Sequence, residues 1–97
     1  MMEVNSDTKL RIHALFPESE WDSVEQMLLT RCGDNLPLVD STRVELAERI
    51  RIAVLKLSGG SLSALEHHIA IAAIDWRDTL VAAGFGHSVT AHKSWMP

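Results

Sequence analysis

The stretch Asp75-Trp-Arg-Asp78 comes closest to a catalytic arrangement of side chains in this 97-residue sequence. It places two carboxylates beside a guanidinium group, and such carboxylates can act in general acid–base catalysis. Both acids also stand where the start of a helix favours them, with Asp75 as the N-cap and Asp78 at the third helical position. The stretch therefore predicts a helix start, and we predict that the protein is not an enzyme.

Histidine and cysteine side chains are the other groups that could carry chemistry. The five histidines are His13, His67, His68, His87 and His92. His67 and His68 are adjacent, so on a helix they point about 100° apart. Cys32 has no neighbouring Cys or His in the sequence that would complete a zinc motif. We predict that the protein binds no metal and needs no cofactor.

The Gly59-Gly60 pair separates two helical patterns and raises two further possibilities. A phosphate-binding loop would need a lysine at Walker spacing and a preceding strand, and neither is present. A helix-turn-helix would use the helix after the glycines for recognition. Its outward positions, Ser63, His67 and Ile71, include no Arg or Lys, so DNA binding is the weaker alternative.

Composition and charge indicate one ordinary globular domain, with 46% hydrophobic and 23% charged residues. The formal net charge of −4 argues against a nucleic-acid partner. A single cysteine cannot form an intramolecular disulfide, which suits a reducing compartment. The sequence shows neither a signal peptide nor an apolar run of about 20 residues for a membrane helix. We therefore expect a soluble, cytoplasmic protein that does not contact membranes.

Helical periodicity and stop signals predict an all-α fold, a single compact bundle of four to five short helices. The predicted helices begin near residue 7 and then cover residues 17–32, 43–57, 62–74 and 76–83. Thr42 and Glu45 form a capping box before the third helix. Gly84 is the expected left-handed stop after the last helix, with Phe85 folding back onto it. We expect a disordered N-terminus (1–6), a helical domain (7–86) and a flexible C-terminal tail (87–97).

Helix 43–57 is predicted to be central, because its apolar residues cover more than half of its circumference. Arg51 falls within this apolar arc, where an unpaired charge would be costly. Asp75 and Asp78 are the natural partners for it. We therefore predict a structural ion pair that joins Arg51 to these carboxylates.

Several isoleucines lie outside the faces that this arrangement would bury. Ile52 falls on the polar side of helix 43–57, and Ile71 and Ile74 lie opposite the main apolar stripe of helix 62–74, beside His67. Such a surplus is typical of a core with helices on both sides or of a self-association surface. We predict an interface formed by Ile52, His67, Ile71 and Ile74, and a protein that acts by protein–protein interaction as a homodimer. The alternative function is a small DNA-associated regulator of helix-turn-helix type.

Residues 49–85 also resemble a family of small bacterial proteins with the sequence pattern DWRDxLVAAGF. The residues that carry the resemblance are Arg51, Leu-Lys-Leu-Ser at 55–58, Gly60, Leu62, Leu65, the Asp75-Trp-Arg-Asp78 stretch and Leu-Val-Ala-Ala-Gly-Phe at 80–85. The resemblance implies a bacterial origin and a helical fold. It assigns no site, because no activity, cofactor or partner is established for that family.

Overall fold

Four α-helices make up most of the computed structural model, which describes residues 2–97. They are α1 (Ser6–Leu15), α2 (Trp21–Arg31), α3 (Val44–Ser58) and α4 (Leu62–Ala82). Short 3-10 turns precede α2 at Glu18–Glu20 and follow α4 at Ala91–Ser94. No strand occurs in this part of the chain, so the predicted all-α bundle is confirmed. Among the same residues, none of the helices combines the length and the apolar character that crossing a lipid bilayer requires.

Helix α3 lies at the centre of the bundle, as predicted, with α1 and α4 packed against it. Residues 50–55 are all buried, and a run of six spans more than one turn, so neighbours cover every side of α3 there. Ile52 belongs to this run and is 0% exposed. This corrects the prediction that Ile52 forms part of an interface. That prediction assumed that one side of α3 faces solvent, and residues 50–55 have no such side.

Helix α4 bends sharply at Asp75. A straight helix of 21 residues would be about 31 Å long, and its far end would lie well away from the end of α3 where α4 begins. The Ala83 carbonyl nevertheless accepts a hydrogen bond of 2.8 Å from Nζ of Lys56, near that end of α3. The backbone of Asp75 (φ −152°, ψ 93°) is not helical. It divides α4 into a first segment (62–74) and a second segment (76–82) that returns along α3.

Local signals set both ends of the second segment of α4, as the sequence predicted. The Asp75 carboxylate accepts a hydrogen bond from the Arg77 N–H at 3.1 Å, which is an N-cap contact. At the other end Gly84 adopts a φ of +82°. The Phe85 N–H then donates to the Leu80 carbonyl at 2.8 Å and closes the last turn.

The predicted capping box at the start of α3 is not formed. Both the N–H and the hydroxyl of Thr42 donate to the Asp40 carboxylate, two residues earlier in the chain. Helix α3 begins at Val44, and its N-cap residue Arg43 makes no side-chain capping bond. Thr42 therefore stabilises the turn before α3. Such local side-chain hydrogen bonds compete with the capping of a helix.

Both terminal segments pack onto the bundle, which corrects the predictions of a disordered N-terminus (1–6) and a flexible tail (87–97). Residue 1 of the N-terminal prediction lies outside the described residues. Met2 and Val4 are buried in the core, and His92 is buried in the tail. The predictions rested on the polar composition of residues 1–6 and on the absence of helical periodicity in residues 87–97. The two segments are held instead by arginine side chains that bind their main-chain carbonyls.

Candidate functional site

Arg51 is the buried cation that the sequence singled out, and its guanidinium joins three parts of the chain. Its acceptors are main-chain carbonyl oxygens: those of Cys32 (2.6 Å from Nε), Glu3 (2.7 Å from Nη1) and Met2 (2.8 Å from Nη2). Within residues 2–97 no ion pair joins Arg51 to Asp75 or Asp78, which corrects that prediction. Carbonyl groups satisfy the guanidinium N–H donors without bringing a second charge into the core.

Asp75 and Asp78 lie at the bend of α4 instead. Asp75 caps the second segment, and Asp78 is exposed in its first turn, where a carboxylate complements the positive end of the helix dipole. The Arg77 guanidinium lies over the Trp76 ring, 5.3 Å from its centroid, within cation–π range. These four residues therefore shape and stabilise the bend.

Cys32 completes the buried cluster around Arg51. Burial raises the pKa of the Cys32 thiol to about 12, and the Arg51 charge lowers it only in part. Burial also lowers the pKa of Arg51, and its interactions with Cys32 and Asp34 raise it only in part, but a guanidinium stays protonated at neutral pH. The thiol is therefore protonated in the folded protein, and a protonated thiol is a poor nucleophile.

We expect Cys32 to react slowly with a disulfide reagent such as Ellman's reagent. Only molecules that open expose the thiol and let it ionise, so at mildly alkaline pH the rate should be about a hundredfold or more below that of the protein in urea. Release of the coloured thiol product measures both rates by absorbance. Folded and unfolded protein reacting at similar rates would contradict the burial of Cys32.

The histidines are distributed over the molecule. His13 stacks on the Trp21 ring with centroids 3.9 Å apart, and His67 meets His68 edge-on at 5.3 Å. His92 differs from these three in being buried. Among the residues described, no three His, Cys, Asp or Glu side chains come together as metal ligands would.

An apolar patch lies at the bend of α4. Of the predicted interface residues, Ile74 is 83% exposed, His67 is exposed and Ile71 is half-buried. Two further apolar side chains lie at the bend: Trp76, which is half-buried and follows Ile74 in α4, and Leu38, which is 70% exposed and follows Pro37, the residue whose carbonyl binds Trp76. We call Leu38, Ile71, Ile74 and Trp76 the Ile74 patch.

The loop between α2 and α3 brings Leu38 to this patch. The Trp76 Nε1–H donates to the Pro37 carbonyl at 2.6 Å, and Arg43 Nη1 donates to the Leu38 carbonyl at 3.2 Å. Leu38 has a φ of +64°, in the left-handed region. That conformation costs a residue with a side chain about 1–2 kcal/mol. The loop thus holds an exposed leucine in a strained backbone conformation. The residue type alone does not predict that conformation, because leucine rarely adopts a positive φ.

No protein-family model matches the chain, and neither a curated protein nor a solved structure matches it. The resemblance of residues 49–85 to a bacterial family therefore stays a prediction. Fold and surface together define a small all-α bundle with an exposed apolar patch. Its function has to be inferred from that surface.

Proposed function

We propose that the protein acts by protein–protein interaction, and that its partner is a second copy of the same chain. The observation that carries the proposal is the 83% exposure of Ile74. An isoleucine left in water forgoes about 1.5–3 kcal/mol of hydrophobic free energy that burial would provide. Ile71 lies one turn earlier on α4, and Trp76, two residues later, binds the Pro37 carbonyl beside Leu38, so several apolar side chains gather at the bend. Clusters of this kind mark interaction surfaces more often than single exposed residues do.

The charges beside the Ile74 patch favour self-association over a partner of one charge sign. Arg77 and Asp78 are both exposed and directly follow Trp76 in the chain. In a two-fold symmetric contact each residue faces the partner's surface reciprocally. Arg77 of one copy can then pair with Asp78 of the other, twice over. The same two residues would offer no net attraction to a uniformly acidic or basic partner.

Ile74→Glu tests the proposal most directly. We expect the wild-type protein to shift from monomer to dimer between micromolar and millimolar concentration, as measured by sedimentation or light scattering. The glutamate variant should weaken dimerisation by about a hundredfold or more, because a carboxylate would be desolvated in the contact. Leu10→Glu is the matched control, since Leu10 is 57% exposed on α1, and it should dimerise normally. A wild-type protein that stays monomeric throughout would rule the proposal out.

Leu38→Gly should act in opposite directions on folding and on association. Glycine relieves the strain at a φ of +64°, so the free energy of unfolding of the monomer should rise by about 1 kcal/mol. Loss of the exposed leucine should weaken dimerisation at the same time. Urea unfolding at low concentration and sedimentation at high concentration measure the two effects separately. If the variant is more stable and dimerises normally, Leu38 does not belong to the contact.

The alternative, a DNA-associated regulator, has less support from the surface of α4. The exposed residues of its first segment are Ser63, Glu66, His67, Ala70, Ala73 and Ile74. None is a lysine or arginine, whereas phosphate contacts rely mainly on such side chains. Binding to mixed DNA that weakens steeply with added salt would favour the regulator over the dimer.

A further inference from the structure

Residues 87–97 are fastened to the bundle by one arginine, Arg11 of α1. Its side chain is buried and donates to three carbonyl oxygens of this segment: those of Trp95 (3.0 Å from Nε), His92 (3.4 Å from Nη2) and Lys93 (3.3 Å from Nη2). Its Nη1 donates to the Asp7 carbonyl within α1 at 2.8 Å. Most of the guanidinium's acceptors therefore come from the C-terminal segment.

His92 is the buried ring of that segment, with 2% of its surface exposed. It lies edge-on to Phe85, with ring centroids 6.4 Å apart. Neither ring nitrogen has a hydrogen-bond partner within the part of the chain that the structure describes. A neutral ring leaves one N–H without an acceptor, whereas a protonated ring would leave two such groups and a buried charge. The site therefore accommodates the neutral ring better.

The charges around His92 also favour its neutral form. Glu48 of α3 is the facing carboxylate, with Oε1 3.9 Å from Nε2, which is too long for a hydrogen bond. Three cations face the ring as well: Arg11 from α1, Arg49 from α3 and Lys93 from its own segment. Burial and these three charges lower the pKa of His92, and Glu48 opposes them only in part.

We propose that residues 87–97 form an acid-sensitive latch, which is docked while His92 is neutral and is released when His92 becomes protonated. Release moves the imidazolium from the buried site into water. It also frees Arg11 from three carbonyl acceptors and uncovers the part of the Phe85 ring that His92 contacts. The latch is independent of self-association, so a monomeric Ile74→Glu variant should show it too.

The sign of the pH effect follows from proton linkage. Because the docked pKa of His92 lies below the value of 6.5 for a solvated histidine, the released state binds the proton more tightly. His92 therefore contributes fully to docking above pH 6.5, and this contribution is lost as the pH falls from 6.5 towards the docked pKa. One pH unit below 6.5, the ratio of released to docked molecules should rise by up to about tenfold.

Hydrogen exchange of main-chain amides can detect release directly. The N–H groups of Ala91, Lys93 and Trp95 donate within the segment, so their protection reports docking. We expect their protection, corrected for intrinsic exchange, to fall by up to about tenfold between one unit above and one unit below pH 6.5. Amides of residues 50–55 in α3 should keep theirs, which separates release from global unfolding. Protection of the segment that does not change with pH would overturn the proposal.

Two histidine variants assign the effect to its residue. His92→Phe should abolish the pH dependence, because phenylalanine keeps an aromatic contact with Phe85 and cannot be protonated. His68→Gln is the matched control, since burial also lowers the pKa of His68, and it should respond as the wild type does. A pH response that persists in His92→Phe, or disappears in His68→Gln, overturns the proposal.

Glu48→Gln keeps the proposal testable should His92→Phe fail to fold. It removes the Glu48 carboxylate, which faces the ring and stabilises its protonated form in the docked state. The docked pKa should then fall further, and the loss of protection below pH 6.5 should become larger than in the wild type. An unchanged or smaller loss would contradict the latch.

Discussion

Replacing Arg51 with methionine is expected to lower the free energy of unfolding by about 3–4 kcal/mol, since charge-assisted hydrogen bonds contribute about 1.5–3 kcal/mol each and their loss is not additive. Methionine fills a similar volume but leaves the carbonyls of Met2, Glu3 and Cys32 without their donor. At this chain length the loss corresponds to a drop in Tm of about 12–20 °C. Thermal and urea unfolding followed by circular dichroism measure it. Because two of these carbonyls belong to the N-terminal segment, residues 2–4 should also detach from the bundle.

The controls separate this explanation from the ion pair that the sequence suggested. Arg31→Met removes an exposed guanidinium that lies 3.7 Å from Glu66, and it should change stability by no more than about 0.5 kcal/mol. Asp78→Asn should also have a small effect, because Asp78 is not a partner of Arg51. A loss after Asp78→Asn as large as that after Arg51→Met would restore the ion pair, and an unchanged Tm in Arg51→Met would contradict both accounts.

Gly60→Ala is expected to destabilise the fold by about 2–4 kcal/mol, through backbone strain and a steric clash together. Gly60 has a φ of +90°, and an added Cβ would lie 2.7 Å from the carbonyl oxygen of Leu15, the last residue of α1. That neighbour is main chain and cannot turn away as a flexible side chain could. The α3–α4 turn would have to separate from the end of α1. Urea unfolding gives the free-energy change.

Gly59→Ala is the matched control one residue away. Gly59 has a φ of +60°, but an added Cβ meets nothing within 4 Å. Alanine there should cost about 1 kcal/mol from the left-handed conformation alone. The difference between the two variants isolates the clash with Leu15. Equal losses would mean that the turn does not pack closely on α1.

The sequence predicted those features that depend on partners a few residues apart. The Asp75 cap and the turn closed by Gly84 and Phe85 are local hydrogen-bonded motifs, and the structure contains both. Thr42 is the exception among them. Its hydroxyl could either accept a hydrogen bond from a main-chain N–H at the start of α3 or donate one to the Asp40 carboxylate. It donates to Asp40, and the cap is not formed.

For Arg51 the sequence predicted that an acceptor is needed but did not predict which groups supply it. Its position in an apolar arc established that it needs an acceptor, and charge alone suggested Asp75 or Asp78. The acceptors are main-chain carbonyls 19, 48 and 49 residues away in the sequence. Every residue has a carbonyl, so side-chain types carry no signal for such a contact.

Periodicity by itself determined that this chain forms an all-α bundle around α3, and glycine and aspartate determined where several helices end. Tertiary structure decided which apolar residues are core and which are surface. Ile52 and Ile74 both fell outside the predicted apolar stripes, yet Ile52 is fully buried and Ile74 is 83% exposed. The reason is geometric. A helical pattern gives the direction of a side chain around its own axis, but burial depends on whether another part of the chain covers that direction. The docked N-terminal and C-terminal segments supply such cover without any periodicity of their own.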